Sequence, residues 1–262
     1  MKIKLIVLLA LVGFVSPACQ TVEAPHAVAV QATAPKYLSD EQTRRLSELL
    51  PGPFPHLANA TPEETKAFER MLSDAEVQVI RGVQDDTSAH ARARADRVEE
   101  FDPVWDFDVA LGRHFNAGEC KAIDHLLSRA APEVAAIKDA AKKHFGRARP
   151  PESGLTSNDS YPSGHSTRAF FRARILAEIA PEKKDEIVRA ARAMVVNRII
   201  AGKHHPSDCA AGIVLGTSIA EAMLESAKDP SSSMHADLEA AKKEWKEVAA
   251  KKDERVRGKP GA

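Results

Sequence analysis

The chain has 262 residues, with 37 Lys+Arg balanced by 37 Asp+Glu and a formal net charge of zero. That balance argues against a nucleic-acid binder or an anionic-membrane binder, so any strong positive field must be local. Aromatic residues make up only 5%, and the short aromatic or β-branched runs of a sandwich or barrel are missing, which leaves an all-α chain as the economical reading.

The N-terminus predicts a compartment. Lys2 and Lys4 precede an apolar run from Leu5 to Val15, which ends in the small-residue sequence Ser16-Pro17-Ala18-Cys19. This is the three-part pattern of an export signal over residues 1–18, too short to be a permanent span. A periplasmic location is therefore expected. Cleavage after Ala18 would leave Cys19 first, as in a lipoprotein, although Ser16 stands where a lipobox prefers Leu. Association with a membrane is expected only if Cys19 carries lipid, because no later stretch reads as a transmembrane span. Beyond Cys19 only Cys120 and Cys209 remain. Sequence leaves their pairing open, and no CxxC spacing suggests a metal site.

Residues 19–35 read as a flexible leader rich in Ala, Val and Pro. Three prolines between Pro51 and Pro55 predict an extended loop. Thr61-Pro62-Glu63-Glu64 has the composition of a helix start, with Thr as N-cap, Pro first and Glu three after the cap. Its helix is expected to run into the seventies. Further helices are expected at about 84–101, 117–129 and 133–147, then 164–179, 181–201, from Ser207 or Asp208 to about 227, and 234–256. Residues 150–162 form a turn-rich loop. The domain is placed at 36–245, with a charged C-terminal tail over 246–262.

Three segments carry chemistry. In Lys142-Lys143-His144-Phe145-Gly146-Arg147-Ala148-Arg149-Pro150, the spacing of Lys142 and Arg149 puts both on one face of a continuous helix. Pro150 pushes Arg149 out of helical geometry, at the helix exit. In Tyr161-Pro162-Ser163-Gly164-His165, Ser163 and Gly164 stand at a helix N-terminus, where unpaired amides and the dipole favour an anion. His165 follows, placed to exchange a proton with whatever binds. In Arg198 to Asp208, a carboxylate at Asp208 is expected to accept from one nitrogen of His204 and leave the other free as nucleophile.

Singly, each segment reads equally well as a helix end, a turn or a cap. Together, Lys142, Arg149 and Arg198 supply three cations, Ser163 and Gly164 neutral donors, and His165 and His204 an acid and a nucleophile. Phosphoryl transfer asks for this set, because its catalysis is mostly positioning and stabilisation of charge on oxygen.

In order and spacing, these segments resemble the type 2 phosphatidic acid phosphatase superfamily signature, K-x6-RP, PSGH and SR-x5-H-x3-D. Within it, SYPSGH, ILAEIAPEKKDEI and RIIAGKHHPSD are most similar to the bacterial class A non-specific acid phosphatases. The resemblance covers roughly residues 36–245. It implies an all-α, single-domain helical bundle of the kind shared with vanadium haloperoxidases, and hydrolysis of small phosphate monoesters through a phosphohistidine on His204. It also implies that His165 protonates the leaving alcohol and that Asp208 orients His204. Lys142, Arg149, Ser163, Gly164 and Arg198 would hold phosphate, with no metal or other cofactor. Phosphotransfer to alcohols, a lipid phosphate substrate, a vanadate-dependent haloperoxidase and a homo-oligomer are the weighed alternatives and extensions. Two departures stand out: Asn197 replaces the usual Ser, and His205, beside Lys203, stands where class A members carry Trp.

Overall fold

A computed structural model describes residues 36–97, 107–112, 115–116 and 118–257. The expected export signal and leader, over 1–35, lie outside the described residues, as does the end of the 84–101 helix.

Local signals start the helices. α1 (Asp40–Ser47) and α2 (Pro62–Asp85) each open on a reciprocal capping box, Ser39 with Gln42 and Thr61 with Glu64. Each box satisfies two amides that a helix start leaves unpaired. The box at Thr61 is the one read from sequence. The box at Ser39 has the same spacing, S-x-x-Q, and starts a helix that the sequence reading does not include. Two short helices, α3 (Ala89–Arg97) and α4 (Asp108–Leu111), follow. The predicted helix from 84 is thus divided, since α2 continues to Asp85 and α3 begins anew.

The two helices expected at 117–129 and 133–147 are one, α5 (Lys121–Phe145), with Pro132 inside it. Pro132 is exposed, so its ring and the amide it lacks face solvent, while Leu126, Leu127, Ala130, Val134 and Ile137 keep an uninterrupted buried stripe. Tertiary burial outweighs the cost of an interior proline here. α5 stops at Gly146, which takes φ of 56°, the left-handed conformation that ends helices at glycine. Arg149 therefore lies beyond the helix, and the expected shared helical face with Lys142 does not exist.

α6 (Gly164–Ile179), α7 (Lys184–Ile200), α8 (Pro206–Ser226) and α9 (Ser233–Arg257) complete the bundle. Among the described residues there is no strand. α6 packs on both α7 and α8, while α9 lies along α5. The core joins Phe107, Phe115, Ile123, Leu127, Phe171, Leu176, Leu215, Ile219 and Trp245. α9 runs past the expected domain edge at 245, with Val248 buried in the same core.

The α6–α8 contact depends on two glycines. A side chain at Gly212 would meet Ser163 O at 2.6 Å and Ser166 Cβ at 2.7 Å, and one at Gly216 would collide with the Thr167 carbonyl. Backbone therefore approaches backbone, as only glycine permits. By length and composition α8 would also suffice to cross a membrane, contrary to the sequence reading. Here Leu215, Ile219 and Met223 are buried in the core.

Candidate active site

The site gathers at the N-terminal ends of α6 and α8 and the segment leaving α5. Ser163 is the N-cap of α6, its hydroxyl accepting from the Ser166 amide at 3.4 Å. Its own amide is not available to a ligand, because it donates to the Asp208 carbonyl at 2.9 Å. That bond ties the start of α6 to the start of α8. The amides of this turn that could receive an anion are those of Gly164 and His165, which precede the first helical acceptor. A side chain at Gly164 would press on Lys138 Cδ at 3.1 Å, with Arg168 Nη1 at 3.6 Å and Lys142 Cε at 3.8 Å. Bare backbone at Gly164 thus faces a cationic wall.

α8 begins differently from expectation. The N-cap is His205 rather than Ser207 or Asp208, Pro206 is the first helical residue, and Asp208 is the third. Asp208 Oδ2 accepts from the His205 amide at 2.8 Å, closing a capping box. The same oxygen accepts from Ser160 Oγ at 2.5 Å and faces His205 Nδ1 at 3.2 Å. His204 Nδ1 lies 3.7 Å away, beyond a hydrogen bond. Burial pulls the Asp208 carboxyl up. The neighbouring His204 and His205, then Arg147 and Ser160, more than offset that and hold it well below the usual carboxylate range.

His204 is buried, and burial pushes its imidazole below the ordinary value while Asp208 pulls it back. Nδ1 faces Asp208, and Nε2 lies 3.5 Å from Arg149 Nη1. Arg149 also donates to the Lys203 carbonyl at 3.0 Å, which fixes the guanidinium beside the imidazole.

Lys142 and Arg149 converge on Asp159 despite the lost helical register. Arg149 grips its carboxylate with two bonds, at 2.8 and 3.1 Å. Lys142 Nζ donates to the Asp159 carbonyl and lies 3.9 Å from Oδ2. Burial lowers the Lys142 ammonium to about 8, Asp159 raising it and Arg149 and Lys138 lowering it further. Arg198 is fully buried on α7, and its Nη2 donates to the Ala95 carbonyl at 2.6 Å. Burial, followed by the charges of Arg198 and Arg168, drives His165 down to about 3. With its pKa so lowered, the His165 imidazole favours the neutral form through the mildly acid range.

Sequence reasoning missed four participants. Arg147 is buried and bonds Asp208 Oδ1 at 2.7 Å and Glu76 Oε2 at 2.6 Å. Ser160 and Asp159 belong to the loop before Pro162, and Glu76 to α2. Arg147 sits in the segment already singled out, so its basic side chain was the available signal; nothing near Glu76 marks it. Cys120 and Cys209 are both buried, and no disulfide joins them. A cleft of about 880 Å³ opens beside Arg149 and His205, between Phe54, Phe145 and the α2 side chains Lys66, Arg70 and Arg81.

Residues 121–229, which contain every site residue read from the sequence, match the PAP2 superfamily. This stretch is a PAP2 domain. The match leaves out α2 and its side of the cleft. The chain is 30% identical over 128 residues to a non-specific acid phosphatase of Providencia stuartii, covering 44% of this chain and 52% of that protein. It is 35% identical over 88 residues to a non-specific acid phosphatase of Salmonella typhimurium, covering 29% and 35%. A lipid A 1-phosphatase of Rhizobium johnstonii is 36% identical over 89 residues, covering 29% and 36%. The chain thus spans between about a third and a half of the length of these curated relatives.

Proposed function

We propose that the protein is an exported acid phosphatase that hydrolyses phosphate monoesters through a phosphohistidine on His204. One observation carries this reading: His204 Nε2 stands 3.5 Å from Arg149 Nη1, with Asp208 behind Nδ1. A nucleophile is thus backed by a carboxylate and fronted by an anion-binding cation. The relatives named as acid phosphatases agree with it.

In the proposed reaction the substrate phosphate lies among Lys142, Arg149, Arg198, the Ser163 hydroxyl and the Gly164 backbone. The Nε2 lone pair of His204 attacks phosphorus as the ester P–O bond breaks, and His165 gives its proton to the departing alkoxide. Asp208, which stays ionised, stabilises the positive charge that develops on the His204 ring. Water then attacks phosphorus, neutral His165 accepts its proton, the P–N bond breaks, and inorganic phosphate leaves. Because His165 is neutral on its own, the negative charge of the arriving phosphate must raise its pKa so that it takes up a proton. Proton uptake and substrate binding are then one event, which suits an acidic working range. Transfer to an alcohol instead of water follows the same second step.

A second reading, a lipid phosphate substrate, is favoured by the cleft of about 880 Å³ beside Arg149, which has room for a large leaving group, and by the relative named lipid A 1-phosphatase. The deciding experiment assays the purified chain on a chromogenic phosphomonoester and on a lipid phosphate, with and without chelator, beside His204→Ala. The proposal expects turnover of the soluble ester that survives chelator and is lost in His204→Ala. Turnover that persists in His204→Ala, or ceases with chelator, refutes it; turnover of the lipid alone selects the second reading.

A further inference from the structure

One carboxylate of α2 makes three hydrogen bonds to the PAP2 domain, beside the Arg81–Glu152 ion pair and the Gln84 bond to the Ile200 carbonyl. Glu76 Oε1 accepts from the Ser207 amide at 2.7 Å, and Oε2 accepts from Ser207 Oγ at 3.0 Å and Arg147 Nη2 at 2.6 Å. The Ser207 amide is the second of α8, one of those a helix start leaves without an acceptor. Glu76 therefore caps the helix that carries Asp208, through a side chain 131 residues distant in sequence. Arg147 completes a closed circuit. Its Nη1 donates to Ser207 Oγ at 2.6 Å and to Asp208 Oδ1 at 2.7 Å.

This circuit determines which Asp208 oxygen faces the histidines. Oδ1 is turned to Arg147, leaving Oδ2 for Ser160, His205 and His204. Without Glu76, Arg147 would keep only one of its two carboxylate partners, and its planar guanidinium would no longer be held from both sides. A guanidinium free to turn would let the Asp208 carboxylate rotate, and Oδ2 would leave the line to His204 Nδ1. A shift of this kind, on the order of 1 Å, costs an attacking group far more than it costs a bound ground state.

We propose that Glu76 is a positioning residue for His204. It acts through Arg147 and Asp208, so that α2, outside the PAP2 match, sets the rate of phosphoryl transfer to the imidazole without touching phosphate. This rests on the phosphohistidine reading.

Rapid mixing of enzyme with labelled phosphomonoester, followed by a quench that preserves phosphohistidine, tests it. Glu76→Gln keeps the size of the side chain but presents a donor or a weaker acceptor to Arg147. It should slow phosphoenzyme formation at saturating substrate by about ten- to a hundredfold while KM stays within about threefold, because ground-state contacts to phosphate are untouched. Glu76→Asp, which retains the charge, should recover part of that rate. Adding Arg147→Met to Glu76→Gln should cost little more than either change alone, the sign of residues acting in series. Melting temperatures taken alongside separate this from simple unfolding. A wild-type rate of phosphoenzyme formation in Glu76→Gln would overturn the inference alone. So would a loss confined to KM, or one that Glu76→Asp does not relieve in a variant melting like wild type. Absence of any labelled intermediate in the wild-type chain would overturn this inference together with the phosphohistidine reading.

Discussion

Arg149 and Asp159 form a two-pronged ion pair inside the candidate phosphate pocket, with contacts of 2.8 and 3.1 Å. Asp159 is half-buried, and the Arg149 hydrogen bonds hold its carboxyl well below the usual carboxylate range. A carboxylate therefore stands where the proposed reaction places a phosphate oxygen. Asp159→Asn should preserve a hydrogen bond to Arg149 while removing the competing charge. Inhibition by inorganic phosphate should strengthen by about three- to tenfold, the size of a part-screened charge removed at contact distance. An inhibition constant that stays the same or rises would show that Asp159 holds Arg149 in place rather than competing for it.

Lys142 sets an alkaline limit. Its ammonium is lowered to about 8, chiefly by burial, so above that pH the free protein loses one of the cations proposed to bind phosphate. kcat/KM should fall as pH rises through about 8. Lys142→Arg, whose charge persists at much higher pH, should move that limb upward even if the peak rate drops. An unmoved limb in the variant would assign it to another group.

His165 gives a linked pair of expectations. Its pKa of about 3 in the folded protein lies below the ordinary 6.5, so between those values the unfolded chain binds more protons. Stability attributable to this group is complete above pH 6.5 and is lost as pH falls toward 3. His165→Asn should therefore melt with a shallower acid dependence than the wild type. Saturating phosphate should raise the His165 titration midpoint, which NMR of the imidazole would follow directly.

His205 competes with His204 for Asp208. Its Nδ1 is 3.2 Å from the oxygen that His204 Nδ1 approaches only to 3.7 Å. His205→Trp removes the competing ring nitrogen and leaves the backbone amide on the same carboxylate. Asp208 then draws closer to His204 and raises its pKa. Because the attacking imidazole must be neutral, the acid limb of kcat/KM should move to higher pH. A superimposable profile would refute the competition.

Gly216 tests the α6–α8 seam. A methyl group there collides with the Thr167 carbonyl, which belongs to backbone and cannot swing aside. Gly216→Ala should destabilise the protein by about 1–3 kcal/mol, read from denaturant unfolding.

The sequence disclosed what adjacent residues decide. Ser163 before Gly164 reads as a cap, and His204 four before Asp208 reads as a helix start, because those contacts are made within one turn. It misjudged elements whose outcome depends on burial. Pro132 breaks a local pattern, yet the stripe from Leu126 to Ile137 carries α5 through it. Lys142 and Arg149 were expected together for a helical reason that fails at Gly146, and they meet through Asp159 instead. Glu76 was invisible because its partners lie 71 and 131 residues away, and no local pattern distinguishes it from the other acids on an exposed helix face.

The glycine seam has a consequence for how such a protein can change. The turn at Gly164 and the turn that carries His204 are bonded to each other, Ser163 N–H to Asp208 carbonyl, on helices that touch backbone to backbone. Drift in either helix would move both turns together, so the distance between the proposed phosphate site and the proposed nucleophile would be insulated from substitutions at the periphery. The α2 side of the cleft lies across a different set of contacts, made by exchangeable side chains such as Lys66, Arg70 and Arg81. On the proposed function, new leaving groups would be accommodated by altering one wall while the reacting atoms keep their spacing.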